Sequence, residues 1–143
     1  VVLGMLHSSA KPAPITAQDV NHEKGFTTRS KMHLYFNDDT KTIKIDTPAG
    51  NSIVIDEAST SIKITDQNNN TITMNQQGIE IKSPLQIKIE AGTTLDIKAG
   101  TALTVGGTTI ALSAQASFEA KGATAKLSAP GITEISGSLV KIN

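Results

Sequence analysis

Cysteine and tryptophan are absent from this 143-residue chain, and aromatic residues make up only 3% of it. Without a thiol, disulfides and thiolate metal sites are excluded, and the redox compartment stays open. The four rings, Phe26, Tyr35, Phe36 and Phe118, are too few for the ring-rich core usual in a domain of this size. The same scarcity argues against a large aromatic-lined catalytic pocket. Net charge is missing too, since 13 Lys and Arg balance 13 Asp and Glu. Residues 1–36 carry about +2 and residues 37–143 about −2, so no basic patch points to nucleic acid. No apolar run reaches the roughly 18 residues of a membrane span. The first residues show neither the basic start nor the apolar stretch of a signal peptide. Opening on Val1-Val2-Leu3-Gly4 instead of Met, the chain reads as a piece of something longer.

What is present favours strands: 17 Ile with Val, Leu and Ala, beside 18 Thr and 12 Ser. From residue 43 onward apolar residues recur in pairs with one residue between them. The pairs are Ile43/Ile45, Ile53/Ile55, Ile62/Ile64, Ile72/Met74, Ile79/Ile81, Ile87/Ile89, Leu95/Ile97, Leu103/Val105 and Ile110/Leu112. Weaker copies follow at Phe118/Ala120, Ala125/Leu127 and Val140/Ile142, and the mean spacing is near eight residues. The middle residue is usually polar, as at Lys44, Lys63, Glu80, Lys88 and Asp96, which is the alternation of a strand with one buried face. Turn formers such as Pro48-Ala49-Gly50-Asn51, Asp66-Gln67-Asn68-Asn69-Asn70, Gln77-Gly78 and Gly106-Gly107 separate the pairs.

A hairpin meander of such strands would need a second layer over its apolar face, and this chain supplies none. A β-helix solves the problem by pairing each short strand above and below along an axis. A single chain winding alone would need about 24 residues per three-sided coil. Three chains winding together, each giving one side per eight residues, account better for the even spacing and the missing rings. The predicted fold is therefore all-β: an intertwined homotrimeric, triple-stranded β-helix with an octad repeat. Its interior would be Ile43, Ile45, Ile53, Ile55, Ile62, Ile64, Ile72, Ile79, Ile81, Ile87, Ile89, Leu95, Ile97, Leu103, Val105, Ile110 and Leu112. About 70 such side chains in one column, at ~1.5–3 kcal/mol each, give gross burial on the order of 100 kcal/mol before a comparable entropy cost. Rungs ~4.8 Å apart would make a rod about 60 Å long.

Several segments resemble a known family. Val1-Val2-Leu3-Gly4-Met5-Leu6-His7-Ser8 and Lys11-Pro12-Ala13-Pro14 are similar to the last strand and exit of the OB-like domain in VgrG proteins. These are type VI secretion spikes, related to the membrane-puncturing spikes of contractile phage tails. Thr28-Arg29-Ser30-Lys31-Met32-His33-Leu34, Asn37-Asp38-Asp39, Thr47-Pro48-Ala49-Gly50-Asn51 and Asp66-Gln67-Asn68-Asn69-Asn70 resemble that family's neck and first shaft repeats. Gly137-Ser138-Leu139-Val140-Lys141-Ile142-Asn143 is similar to its C-terminal end. On this likeness residues 1–16 are the end of an OB-like domain and its exit linker. Residues 17–42 are a neck and the start of the shaft, expected to be irregular over 17–36, and residues 43–143 are the needle.

The resemblance implies a trimeric needle that sheath contraction drives through a target-cell envelope. It implies a PAAR-repeat protein seated on the C-terminal end at Leu139, Val140, Lys141, Ile142 and Asn143. It also implies a secretion tube and effectors carried through the part before Val1. The protein would wait in the bacterial cytoplasm until firing and meet the target membrane only in passing. Some family spikes close their own tip with a His-x-His metal site, but here His7, His22 and His33 all lie in the first 33 residues. A self-capped metal tip is therefore not expected, nor is any other cofactor.

Other candidate chemistry reads as structure. Asp66-x-Asn68-x-Asn70 opens like a calcium loop, yet Thr71 and Gln77 stand where Gly and Glu are needed, so a turn is expected. The adjacent acids Asp38-Asp39 and Asp56-Glu57 would point to opposite faces of a strand and read as solvated corners. His33, between Met32 and Leu34, should face outward. No nucleophile and base come together, so no enzymatic role is expected. Two other readings are a single-chain β-helix acting on polysaccharide and a trimeric adhesin or fibre stalk. The first would need acids or rings gathered on one side, and the second a receptor-binding head.

Overall fold

The computed structural model describes residues 7–16 and 18–141. It divides into two units, Val1–Leu95 and Asp96–Asn143. The first unit carries seven strands of five residues each: β1 Glu23–Thr27, β2 His33–Asn37, β3 Thr42–Asp46, β4 Ser52–Asp56, β5 Ser61–Thr65, β6 Thr71–Asn75 and β7 Gly78–Lys82. They form one sheet in sequence order, each strand antiparallel to the next. The all-β class is as expected, while the pairing over 42–82 is not. The chain folds back on itself as the meander that the sequence argument set aside, so in this stretch the ladder partners come from the same chain. The neck is also more regular than expected, because β1 and β2 lie inside residues 17–36 or one residue past them.

Local chemistry explains the hairpins. Along one edge of the sheet three turns share one construction. Thr28 N–H donates to Met32 O, Thr47 to Asn51 and Asp66 to Asn70 (2.9–3.1 Å), while Lys31, Gly50 and Asn69 donate back to Thr28, Thr47 and Asp66. Lys31 (φ 60°), Gly50 (φ 97°) and Asn69 (φ 63°) are left-handed, as the third residue of a three-residue hairpin loop must be. Along the other edge Asn37 Oδ1 accepts from Asp39 and Thr40 N–H, and Asp56 Oδ1 from Ala58 and Ser59 N–H. Asn75 Oδ1 accepts from Gln77 N–H in the last and shortest connection. Residues 28, 47 and 66 are 19 apart, and so are 37, 56 and 75. The repeat here is thus a two-strand unit of 19 residues instead of an octad.

Beyond Lys82 the character changes. Among the described residues from 83 on, no segment pairs with another and none is helical. In the first unit the chain bends at 84–85, where Ser83 Oγ accepts from Leu85 and Gln86 N–H, and again at 92–93. In the second unit it bends at 100–101, 108, 115–116, 123, 130–131 and 138. The octad is therefore written in the backbone as one change of direction every seven or eight residues. No described residue after Gly78 has a positive φ. Corners such as Gly100 and Gly122 deflect the strand without supplying the left-handed residue that closed the earlier hairpins.

Thr60, β-branched at φ 48°, sits in a conformation costly for its side chain, whereas Gly50 at φ 97° suits only glycine. Thr60→Gly is expected to stabilise by about 1 kcal/mol per chain and Gly50→Thr to destabilise by at least that much. Denaturant midpoints of the two variants check this.

Candidate assembly face

Strand alternation and the register of the meander place two straight apolar ladders on one face. One runs Phe26, Leu34, Ile45, Ile53, Ile64, Ile72, Ile81, and the other Phe36, Ile43, Ile55, Ile62, Met74, Ile79, with Lys24 at its end. Neighbours in each ladder are directly opposed cross-strand pairs. No described residue covers them fully. Leu34, Ile43 and Met74 are half-buried, the other ten run from 36% exposed at Ile62 to 73% at Ile79, and among the described residues no hydrophobic side chain is buried. The chain's accessible surface is 13549 Å², against about 7,000 Å² for a compact monomer of 15.0 kDa. Covering what these thirteen side chains still expose contributes on the order of 10–20 kcal/mol per chain.

Of the residues the sequence places inside the shaft, Ile43 through Ile81 share this face. Ile87, Ile89, Leu95, Ile97, Leu103, Val105, Ile110 and Leu112 lie on the extended segments between bends, all exposed. At the C-terminal end Leu139 and Val140 are 84% and 48% exposed and Lys141 is exposed; Ile142 and Asn143 lie outside the described residues, as do Val1–Leu6 of the exit segment. Leu34 and Phe36 join the apolar face, while Met32 belongs to the first turn. Phe26 was not anticipated, although the Lys24-Gly25-Phe26-Thr27 alternation carries the signal.

The opposite face is polar. His33 is on it, its Nδ1 2.5 Å from Asp46 Oδ1, while Lys44 Nζ reaches Asp46 Oδ2 at 2.5 Å. The Lys44 ammonium chiefly, and the His33 ring after it, hold the Asp46 carboxyl below its ordinary 3.8. Tyr35 stacks on His33 with centroids 4.8 Å apart, and its hydroxyl lies 3.0 Å from Thr27 Oγ1. The Tyr35 ring lies across the neighbouring strand at Gly25, where a Cβ would meet Tyr35 Cδ1 and Leu34 O at 2.3 Å. An aromatic side chain laid over a cross-strand glycine pins the register of β1. Among the described residues no three His or acidic groups gather as metal ligands.

Asp66 closes its turn with both carboxylate oxygens. Oδ1 accepts from Asn68 and Asn70 N–H (2.9 and 2.8 Å), and Oδ2 from their side-chain amides (3.2 and 2.8 Å). The loop is thus the expected turn. The Asn70 side chain above all holds the Asp66 carboxyl below its ordinary 3.8. A carboxylate depressed in the folded state contributes stability above its unfolded pKa and loses it as pH falls through the folded value. The stability from Asp66 is therefore lost below about pH 3.8. Asp66→Asn is expected to lower stability at pH 7 and to flatten the acid limb of a stability–pH profile. On the apolar face, Ile64→Asp should abolish assembly, because a charge there is desolvated. Lys63→Asp, one residue away on the polar face, should leave assembly intact. Sedimentation of the two variants checks this pair.

Residues 42–97 match the family model described as the phage baseplate V C-terminal trimerisation domain. No curated protein matches the chain. The matched stretch starts on β3, takes in every strand to β7, and runs past the first two bends of the extended segment. Over about two-fifths of its length, then, the chain is similar to a phage baseplate domain named for trimerisation, and over the same stretch the described residues leave an apolar face uncovered.

Proposed function

We propose that three copies of this chain form the shaft of a cell-puncturing spike at the tip of a contractile injection apparatus of the type VI secretion kind. The observation that carries this reading is the apolar face, thirteen side chains long and open to water in a single chain. Its dimensions suit a three-sided column. Five-residue strands are about 17 Å long, and a triangle of that side puts each sheet about 5 Å from the axis, half the ~10 Å spacing of packed sheets. Ile, Leu and Met fill such a gap, and larger rings do so only at its open end, where Phe26 and Phe36 stand. Three meanders thus form a prism over residues 23–82.

Past Lys82 the same three chains wind round one another as a triple-stranded β-helix. Bends every seven or eight residues make the sides, and the backbone groups left unpaired within one chain pair with the other two. A single-chain β-helix would stack its own coils, and no such ladder forms among the described residues. The role is mechanical and not enzymatic: a stiff rod concentrates the thrust of a contracting sheath on a small area of membrane. Leu139 and Val140 present exposed apolar side chains, a surface that a PAAR-type tip protein would cover. The tube and effectors attach on the N-terminal side of the meander. The assembly waits in the bacterial cytoplasm until it is fired into a target envelope.

Three copies of 15.0 kDa should sediment at about 45 kDa, and a 15.0 kDa monomer would overturn the reading. Removing Leu139–Asn143 is expected to abolish binding of a PAAR-type protein while leaving the trimer intact. Pull-down with the truncated trimer tests the tip separately from the shaft.

A further inference from the structure

The meander places its turns on two edges in strict alternation: 28–32, 47–51 and 66–70 on one, 38–41, 57–60 and 76–77 on the other. With strands ~4.8 Å apart, turns on one edge recur every ~9.6 Å and the two edges are offset by half that step. Suppose a second copy is turned about an axis parallel to the stacking direction, without sliding along it. The turns of its first edge then fall opposite the gaps between turns on the second edge of its neighbour. Such a head-to-tail contact closes into a ring when the rotation is 120°.

Charge labels the two edges at the β1 end. The first turn carries Arg29 and Lys31, and neither has an anionic partner among the described residues. The next turn, on the opposite edge, carries Asp38 and Asp39. Lys24 holds Asp38 at 2.5 Å, while Asp39, its backbone anchored to Asn37, has no ion pair among the described residues. Within one chain β2 separates these groups, so they cannot meet. Between neighbouring copies in the unshifted arrangement they lie one strand step apart.

We propose that the two turn edges are the seam between copies of this chain, interdigitated like a zip, with Arg29 and Lys31 of one copy paired to Asp39 of the next. The inference rests on the trimeric reading and adds to it which edge meets which and in what register. Sliding one copy by a 19-residue unit would set Arg29 and Lys31 against Glu57, which Lys41 already engages at 3.0 Å, and would leave the outermost turn without a partner. The seam therefore selects the unshifted register. Exposed pairs add little to stability one by one, so their role is specificity.

The absence of native cysteine makes the test direct. Arg29→Cys with Asp39→Cys places thiols that no single chain can join, since a disulfide needs Cα atoms within about 7 Å. Arg29→Cys with Gln77→Cys is the displaced control, its positions at opposite ends of the stack. Both variants of the full chain are sedimented, then oxidised mildly and run on a denaturing gel with and without reductant. A reducible covalent trimer from the first pair and none from the control is the expected result. A trimer in solution without that cross-link, or with equal cross-linking in the control, overturns the seam and leaves the trimer standing. A monomer in solution from the unsubstituted chain overturns both.

Discussion

One constraint governs this protein: a sheet with a continuous apolar face must set that face against something, and the described residues leave it uncovered. Among the described residues no helix packs on the meander and no second sheet forms. Conformational entropy makes an ordered, uncovered sheet untenable alone. The missing layer must come from outside the described residues, and on this face Ile fills nine of thirteen positions while rings are confined to β1 and β2. Folding and assembly are then one event, and the stability of one chain has no meaning apart from its concentration.

The chain meets its backbone requirements in two ways, and turn chemistry decides which. Up to Gly78 each connection holds a left-handed residue or an Asx-closed turn, and the chain reverses to bond with itself. Past that point the bends fall at Pro84-Leu85, Gly92-Thr93, Gly100-Thr101, Thr108, Gln115-Ala116, Ala123, Pro130-Gly131 and Ser138 without positive φ, and the chain is deflected without reversing. Among the described residues these deflected segments have no paired neighbour of their own chain. The same inward alternation thus serves two architectures, and the corner residue selects between them.

Much of this was legible in the residues. The Ile-x-Ile pairs gave the inward face of β3 to β5, and Asp66-x-Asn68-x-Asn70 was readable as a turn because neither Thr71 nor Gln77 suits a cation loop. The meander was missed because alternation alone does not separate a strand that turns back from one that winds on. The distinguishing signal was present in the spacing: Ile43, Ile53, Ile62 and Ile72 step by 10, 9 and 10 before the intervals shorten. That long-short-long alternation belongs to hairpins whose two edges use different loops. Averaging it into a mean near eight erased it. The ring of Tyr35 over Gly25 was not legible, because a cross-strand glycine contact depends on register, which single-sequence patterns leave open.

The 19-residue repeat also dictates how such a shaft can change length in evolution. One added strand would send the chain out on the wrong edge and reverse the polarity of everything after it. Two added strands restore both, lengthening the meander by about 9.6 Å with each turn type still on its own side. Past Lys82, where nothing reverses, a single octad is a permissible increment. The protein is therefore tiled in two currencies of different grain, so natural length variants should be coarse near β1–β7 and fine toward Asn143.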